Sequence, residues 1–303
     1  MPDARRVGLI GLGTITKNYE RGLRESQYLE LVSVCDISPE AISVSCYGEY
    51  RFYTDYQEMI SREGLDCVII STPPATHFDI ASWAMMHGAD VIIEKPATAT
   101  LEDYERLLSI SKESGRSLEV MYHWQTGSEV VAFGERYDPS KLSEICVRIS
   151  DDYTWQSVEI REEKVALGGV WLDSGVNALS MIKLWLPFED VSIKDIQSIK
   201  CRRTGLPLYI DVLLCIDRVN VRIVIDWRYA KDRKESMLGY DGREICVDHS
   251  GQRIVDRDQV IAVDDMARLP RHYFNYLVGI GDRSDEAASL KINKILFEVN
   301  EKI

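Results

Sequence analysis

A glycine bend near the start of the chain constrains the fold most. The apolar run Val7-Gly8-Leu9-Ile10 leads directly into Gly11-Leu12-Gly13-Thr14-Ile15-Thr16. A strand that turns at once into a helix needs a tight corner, which Gly11 supplies. A pyrophosphate that approaches the main chain needs a residue without a side chain, which Gly13 supplies. The first turn of the following helix, at Thr14 and Ile15, then offers unpaired N–H groups and a favourable dipole to the phosphate. The third position of the pattern is Thr16, where Gly or Ala is usual, and this only loosens helix–strand packing. Asp36 lies twenty residues beyond Thr16, the spacing of a carboxylate that holds the adenosine ribose hydroxyls. Gly11, Gly13, Thr14, Ile15 and Asp36 therefore predict a dinucleotide site. A carboxylate at 36 repels a 2′-phosphate, and Ile37-Ser38-Pro39-Glu40 holds no cation, so NAD is favoured over NADP.

The rest of the first 122 residues agrees with that bend. Apolar runs recur at Leu31 to Cys35, Cys67 to Ile70, Val91 to Ile93 and Leu118 to Met121. They do not alternate with polar residues, as expected for strands covered on both faces. Helical stretches at 14–26, 39–45, 55–62, 77–87 and 100–115 separate them. Alternating strands and helices predict an α/β domain over 1–122, a Rossmann-type doubly wound parallel sheet. After His123 the period changes. Val219, Val221, Ile223, Ile225 and Trp227 alternate with Asn220, Arg222, Val224, Asp226 and Arg228, the pattern of an antiparallel strand with one solvated face. Further strands are expected at 208–217, 144–150 and 244–248, turns at 240–243 and 249–252, and helices at 171–186 and 285–302. The second domain, 123–303, is thus expected to be α+β, with a largely antiparallel, open-faced sheet.

Composition narrows the partners. Lys and Arg number 36 against 49 Asp and Glu, a net charge of −13, which argues against nucleic acid and anionic membrane surfaces. No stretch approaches the roughly 20 apolar residues of a membrane span, and the N-terminal apolar run is too short for a signal peptide. The seven cysteines are odd in number, contain no CxxC, and sit among residues that read as strand interiors. Reduced buried thiols, no metal site and a cytoplasmic location are expected.

Three further motifs carry chemistry. Ser71-Thr72-Pro73-Pro74-Ala75-Thr76-His77 and Glu94-Lys95-Pro96 end apolar runs at the carboxyl edge of the expected sheet, where such folds bind ligands. Gly168-Gly169-Val170-Trp171-Leu172-Asp173-Ser174-Gly175-Val176-Asn177 places Asp173 and Asn177 four apart, on one helix face. In this order and spacing, and with Arg271-His272-Tyr273-Phe274-Asn275-Tyr276 and Ser284-Asp285-Glu286-Ala287, the chain resembles the glucose–fructose oxidoreductase / inositol dehydrogenase (Gfo/Idh/MocA) family over nearly its whole length.

The resemblance implies roles. Lys95 is the catalytic lysine, with Lys95–Pro96 cis, and Asp173 is the substrate-binding aspartate that can share its proton work. Glu94, Thr72 and Pro73 contact the dinucleotide or its nicotinamide ribose, with Ser71 and His77 beside them. The family's usual general-base His is Asn177 here, and Asn cannot change protonation state near neutral pH. An anomeric hydroxyl is more acidic than an ordinary alcohol and needs less basic help. Asp-x-Gly-x-Asn, with His123, is similar to the aldose 1-dehydrogenase branch, where the Asn is a sugar ligand. The expected reaction is NAD-linked oxidation of C1 of a cyclic aldose to a lactone. The alternatives are another polyol, cyclitol or amino-sugar dehydrogenase, or a non-catalytic dinucleotide-and-sugar sensor. Trp155, Gln156 and Trp227 are candidates for a surface that stacks on the sugar. A homodimer or homotetramer is expected.

Overall fold

The computed structural model describes residues 4–156, 158–279 and 285–303; Ser284, from the motif at 284–287, lies outside them. The chain forms two compact units. One comprises the residues up to Tyr122 with His272–Leu290, the other His123–Arg271 with Lys291–Ile303. A second domain running from 123 to 303 is therefore too inclusive, because the segment from His272 packs with the first unit. Its side chains explain why. Tyr273 lies against Tyr19, ring centroids 4.8 Å apart. Leu277 presses on Gly22, where an added Cβ would come within 2.9 Å of it.

The first unit is built on β1 (Arg5–Ile10), β2 (Leu29–Cys35), β3 (Arg51–Tyr53), β4 (Cys67–Ile70), β5 (Asp90–Glu94) and β6 (Leu118–Met121). They form one sheet in the order β3-β2-β1-β4-β5-β6, every pair parallel. All four residues of β4 are buried, as a strand covered on both faces demands. The helices Tyr56–Glu63 and Leu101–Ser114 begin at Asp55 and Thr100, whose side chains accept from Gln57 N–H and Asp103 N–H, and end at left-handed Gly64 and Gly115. The expected helix at 14–26 is broken. A 3₁₀ turn, Thr14–Asn18, precedes a short helix, Glu20–Glu25. Thr16 Oγ1 donates to Gly13 O at 2.8 Å and Asn18 Nδ2 to Ile15 O at 2.9 Å, local bonds that compete with the α-helical ladder. The strand order reverses at β1, which opens a crevice at the carboxyl ends of β1 and β4.

The second unit holds β7 (Leu142–Asp152), the small hairpin β8 (Thr154–Trp155) and β9 (Glu159–Ile160), β10 (Val191–Lys200), β11 (Pro207–Ile216), β12 (Val219–Asp226), β13 (Arg228–Tyr240), β14 (Arg243–Asp248), β15 (Arg253–Asp256) and β16 (Gln259–Ala262). Its main sheet runs β10-β11-β12-β7-β13-β14-β15-β16 and is antiparallel except between β12 and β7. Along β12 the odd positions are buried, whereas Asn220 and Arg222 are exposed. The helices Ser128–Arg136 and Val176–Trp185 cover one face, with Phe133 packed on Trp185 at 5.0 Å. Asp241-Gly242, both at positive φ, make the two-residue hairpin between β13 and β14. All seven cysteines are unpaired, but they are not uniformly buried strand residues. Cys46 is exposed, just past the helix Ala41–Val44, and Cys146, Cys215 and Cys246 are half-buried on the sheet.

Candidate functional site

The two glycines of the bend are glycines for different reasons. Gly11 has φ +90°, and a Cβ there would lie 2.9 Å from the main chain of Ser71 and Thr72. Its absence lets the ends of β1 and β4 touch, and Ser71 Oγ donates across the contact to Gly11 O at 2.8 Å. Gly13 is exposed, and a Cβ there would meet nothing within 4 Å. Thr14 beside it is exposed and Ile15 half-buried. Asp36, at the end of β2, accepts Leu12 N–H on Oδ2 at 2.8 Å and Ser38 N–H on Oδ1 at 2.9 Å. Each oxygen keeps a second lone pair for a hydroxyl. A bare, exposed main chain at Gly13 beside an anchored carboxylate fits a dinucleotide, with the pyrophosphate over Gly13 and the ribose at Asp36.

Lys95 follows β5, and its bond to Pro96 is cis. Two buried groups grip this loop. Glu94 turns inward, where its Oε2 accepts Lys95 N–H at 3.0 Å and its Oε1 accepts the Tyr19 hydroxyl at 2.5 Å. Burial pushes the Glu94 carboxyl up. His77 is fully buried, with Nε2 2.7 Å from Thr72 O and Nδ1 3.1 Å from Pro96 O. Burial holds its imidazole below the usual histidine range. Glu94 keeps a small exposed surface and remains a candidate for contact with the cofactor. His77 ties the Thr72-Pro73 turn to the Lys95-Pro96 turn. Thr72 is half-buried and Pro73 exposed, and they remain candidates for direct contact.

In the second unit, glycines shape the approach to Asp173. Gly168 and Gly169 both have positive φ, and a Cβ on Gly169 would strike Pro207 at 2.7 Å. Residues Trp171–Gly175 form a π-helical turn before the α-helix Val176–Trp185, a distortion that often marks functional positions. Gly175 permits it, since a Cβ there would lie 2.5 Å from the Trp171 ring. Trp171 Nε1 donates to Leu296 O at 2.8 Å and fixes the turn. Asp173 is half-buried. Asn177 is buried, its Nδ2 donates to Asp173 O at 3.3 Å, and its Oδ1 has no hydrogen-bond partner among the described residues. His123 is buried at the start of a 3₁₀ turn, His123–Thr126. Trp155 is exposed on β8, with the Arg161 guanidinium 5.0 Å from its ring centroid, and Gln156 is exposed beside it. Trp227 is fully buried against Tyr153, centroids 5.2 Å apart. It has no free face for a sugar, and its place on the apolar side of an alternating segment is the reason.

A charged group here escaped the sequence reading. Ile145, Val147 and Ile149 face the core along β7, and the next position of that alternation is Asp151, nearly buried. Lys234, from β13 and paired in register with Ile149, donates to Asp151 Oδ1 at 2.7 Å and also to Asp232. Burial pushes the Asp151 carboxyl up against the opposing pull of Lys234, and Asp173 and Asp232 add to the push. A charge that continues an apolar alternation was the available signal.

The glycine bend, the reversal at β1 and the anchored Asp36 together define a dinucleotide-binding domain. Residues 5–122 match the Gfo/Idh/MocA oxidoreductase family model, described by its NAD-binding Rossmann fold. D-apiose dehydrogenase of Paraburkholderia graminis is 30% identical over 127 residues, 41% of this chain and 34% of that protein. The uncharacterized oxidoreductase YdgJ of Escherichia coli is 27% identical over 176 residues, 57% and 51% of the two chains. The chain thus matches about half or less of the length of these curated relatives. A putative myo-inositol dehydrogenase from Sinorhizobium meliloti shares the fold, with TM-score 0.77 at 18% identity over 99% of this chain and 98% of its own. Among the described residues no helix is long and apolar enough to cross a membrane.

Proposed function

We propose that this protein oxidises the C1 hydroxyl of a cyclic aldose to the lactone, with NAD as hydride acceptor. One observation carries the aldose reading: the buried Oδ1 of Asn177, an acceptor without a partner among the described residues, one helical turn from Asp173. It suits a sugar hydroxyl, and it stands where the family's usual general base would be. When bound, NAD takes the hydride from C1. The chain's own residues do the rest. Lys95 takes the O1 proton as the C1–O1 bond becomes a carbonyl, with Asp173 as the second candidate for that proton. Asn177 accepts a ring hydroxyl and orients the sugar. His123, Trp155, Gln156 and Asp151 are further candidates for contact with it. Asp36 holds the adenosine ribose, and Gly13 admits the pyrophosphate.

The test mixes the protein with NAD or NADP and a panel of aldoses, polyols and cyclitols, and follows the absorbance of the reduced nicotinamide. A signal confined to aldoses supports the reading. Turnover of polyols or cyclitols alone replaces the substrate class, and cofactor binding without turnover makes the protein a sensor. Lys95→Ala is expected to lower turnover by ~10²–10⁴-fold, the usual range for general acid–base catalysis. Near-normal turnover in that variant rules out the lysine's role.

A further inference from the structure

We infer that Glu94, Tyr19 and Tyr273 form a buried clamp that fixes the orientation of Lys95, which makes Glu94 a positioning residue for the proton transfer. The inference rests on the catalytic role proposed for Lys95. It explains why the segment beginning at His272, whose motif stands out in the sequence, belongs to the first unit at all.

The clamp joins three remote stretches of chain. Tyr19 lies just past the 3₁₀ turn that follows the glycine bend, Glu94 closes β5, and Tyr273 belongs to the returning segment. All three are buried. A carboxylate in such a place is costly unless its oxygens are hydrogen-bonded. Glu94 meets that demand with the Tyr19 hydroxyl, the Tyr273 hydroxyl and the Lys95 main-chain N–H. Both oxygens are therefore committed, and the side chain has one rotamer that satisfies them. Lys95 meets Glu94 through its main-chain N–H, and its charge also draws the Glu94 carboxyl down against the push of burial. The next residue, Pro96, has no N–H, and its carbonyl is held by His77 at 3.1 Å. Lys95 is thus gripped before and after.

Tyrosines are suited to this task. Their rings pack in a tilted pair, 4.8 Å apart at 49°, so the hydroxyls are aimed by packing and not by flexible stems. Glu94→Gln tests the clamp without removing volume. An amide offers one acceptor oxygen where the carboxylate offers two, so either the tyrosines or the Lys95 N–H lose their acceptor. Tyr273→Phe removes one hydroxyl and keeps the ring.

Two readouts are taken on the full chain. Amide hydrogen exchange at Lys95 is expected to be about tenfold faster in Glu94→Gln, with the amides of β4 unchanged, as loss of one buried hydrogen bond implies. In the same variant kcat is expected to fall by ~10–10²-fold, with KM for sugar and Kd for NAD within about twofold, because misplacement acts on the chemical step. The primary isotope effect from C1-deuterated sugar should rise. Tyr273→Phe should show both effects more weakly. Unchanged exchange at Lys95 overturns the clamp whatever the activity. Faster exchange with unchanged kcat overturns the positioning role, as does a loss of thermal stability with kcat and the isotope effect unmoved. A wild type inert toward the whole substrate panel sinks the proposed function alone, since the exchange experiment still decides the clamp.

Discussion

The two units hold their candidate site residues by opposite means. In the first, Asp36, Glu94 and His77 are fixed by bonds to main-chain groups and tyrosines, and Gly13 leaves bare backbone facing outward. In the second, Gly169 and Gly175 are jammed against Pro207 and Trp171, and a lysine is buried between carboxylates. The first arrangement suits a ligand that lies along the main chain. The second suits side chains that must keep a set position against a small polar molecule.

The largest stability effect should come from the buried charges. Lys234→Met would leave Asp151 and Asp232 without their cation, at an expected cost of about 3–5 kcal/mol, read from urea unfolding. Partial recovery in Lys234→Met/Asp151→Leu would show that the penalty is the orphaned carboxylate. A loss under 1 kcal/mol would mean that water already reaches the pair.

The glycines divide next. Gly169→Ala forces a Cβ into Pro207 at a positive φ and should destabilise by about 2–3 kcal/mol. Gly13→Ala meets open space and should leave unfolding within about 0.5 kcal/mol, while NAD binding, followed by nicotinamide fluorescence, weakens at least tenfold. Equal stability losses at the two sites would erase the contrast between the units.

The effect that is smallest at neutral pH belongs to a buried thiol and shows only on the alkaline side. Burial pushes the Cys67 thiol of β4 up to about 12. Its folded value is raised, so the stability it contributes is complete below the unfolded thiol range near ~8.5 and falls by about 1.4 kcal/mol per pH unit as pH rises from there toward 12. Cys67→Ala should flatten that limb of stability against pH. Cys246 in the second unit is pushed to about 11 and is half-buried, so its removal should flatten the limb less.

The first unit was largely legible because its strands are continuous apolar runs and its site residues sit at their ends. The bend at Gly11 and Asp36 needed only local spacing, whereas the role of Lys95 came from the resemblance to a family. The strand Arg51–Tyr53 was missed because only Tyr53 of its three residues is buried. In the second unit β13 was missed for a related reason: Lys-Asp-Arg-Lys-Glu at 231–235 hides a strand whose core face is partly charged. Trp227 was misjudged when its chemistry outweighed its alternation. The grip of Tyr273 on Glu94 had no sequence signal, since 179 positions separate them.

The return of the segment at His272 to the first unit has a consequence for inheritance. The polypeptide passes from one unit to the other at 122/123, at 271/272 and again at 290/291. No single crossover between genes can exchange one unit whole. A recombinant cut only at 122 would pair Glu94 with a tyrosine from a different ancestor, so the lysine loop and the far end of the chain are obliged to change together.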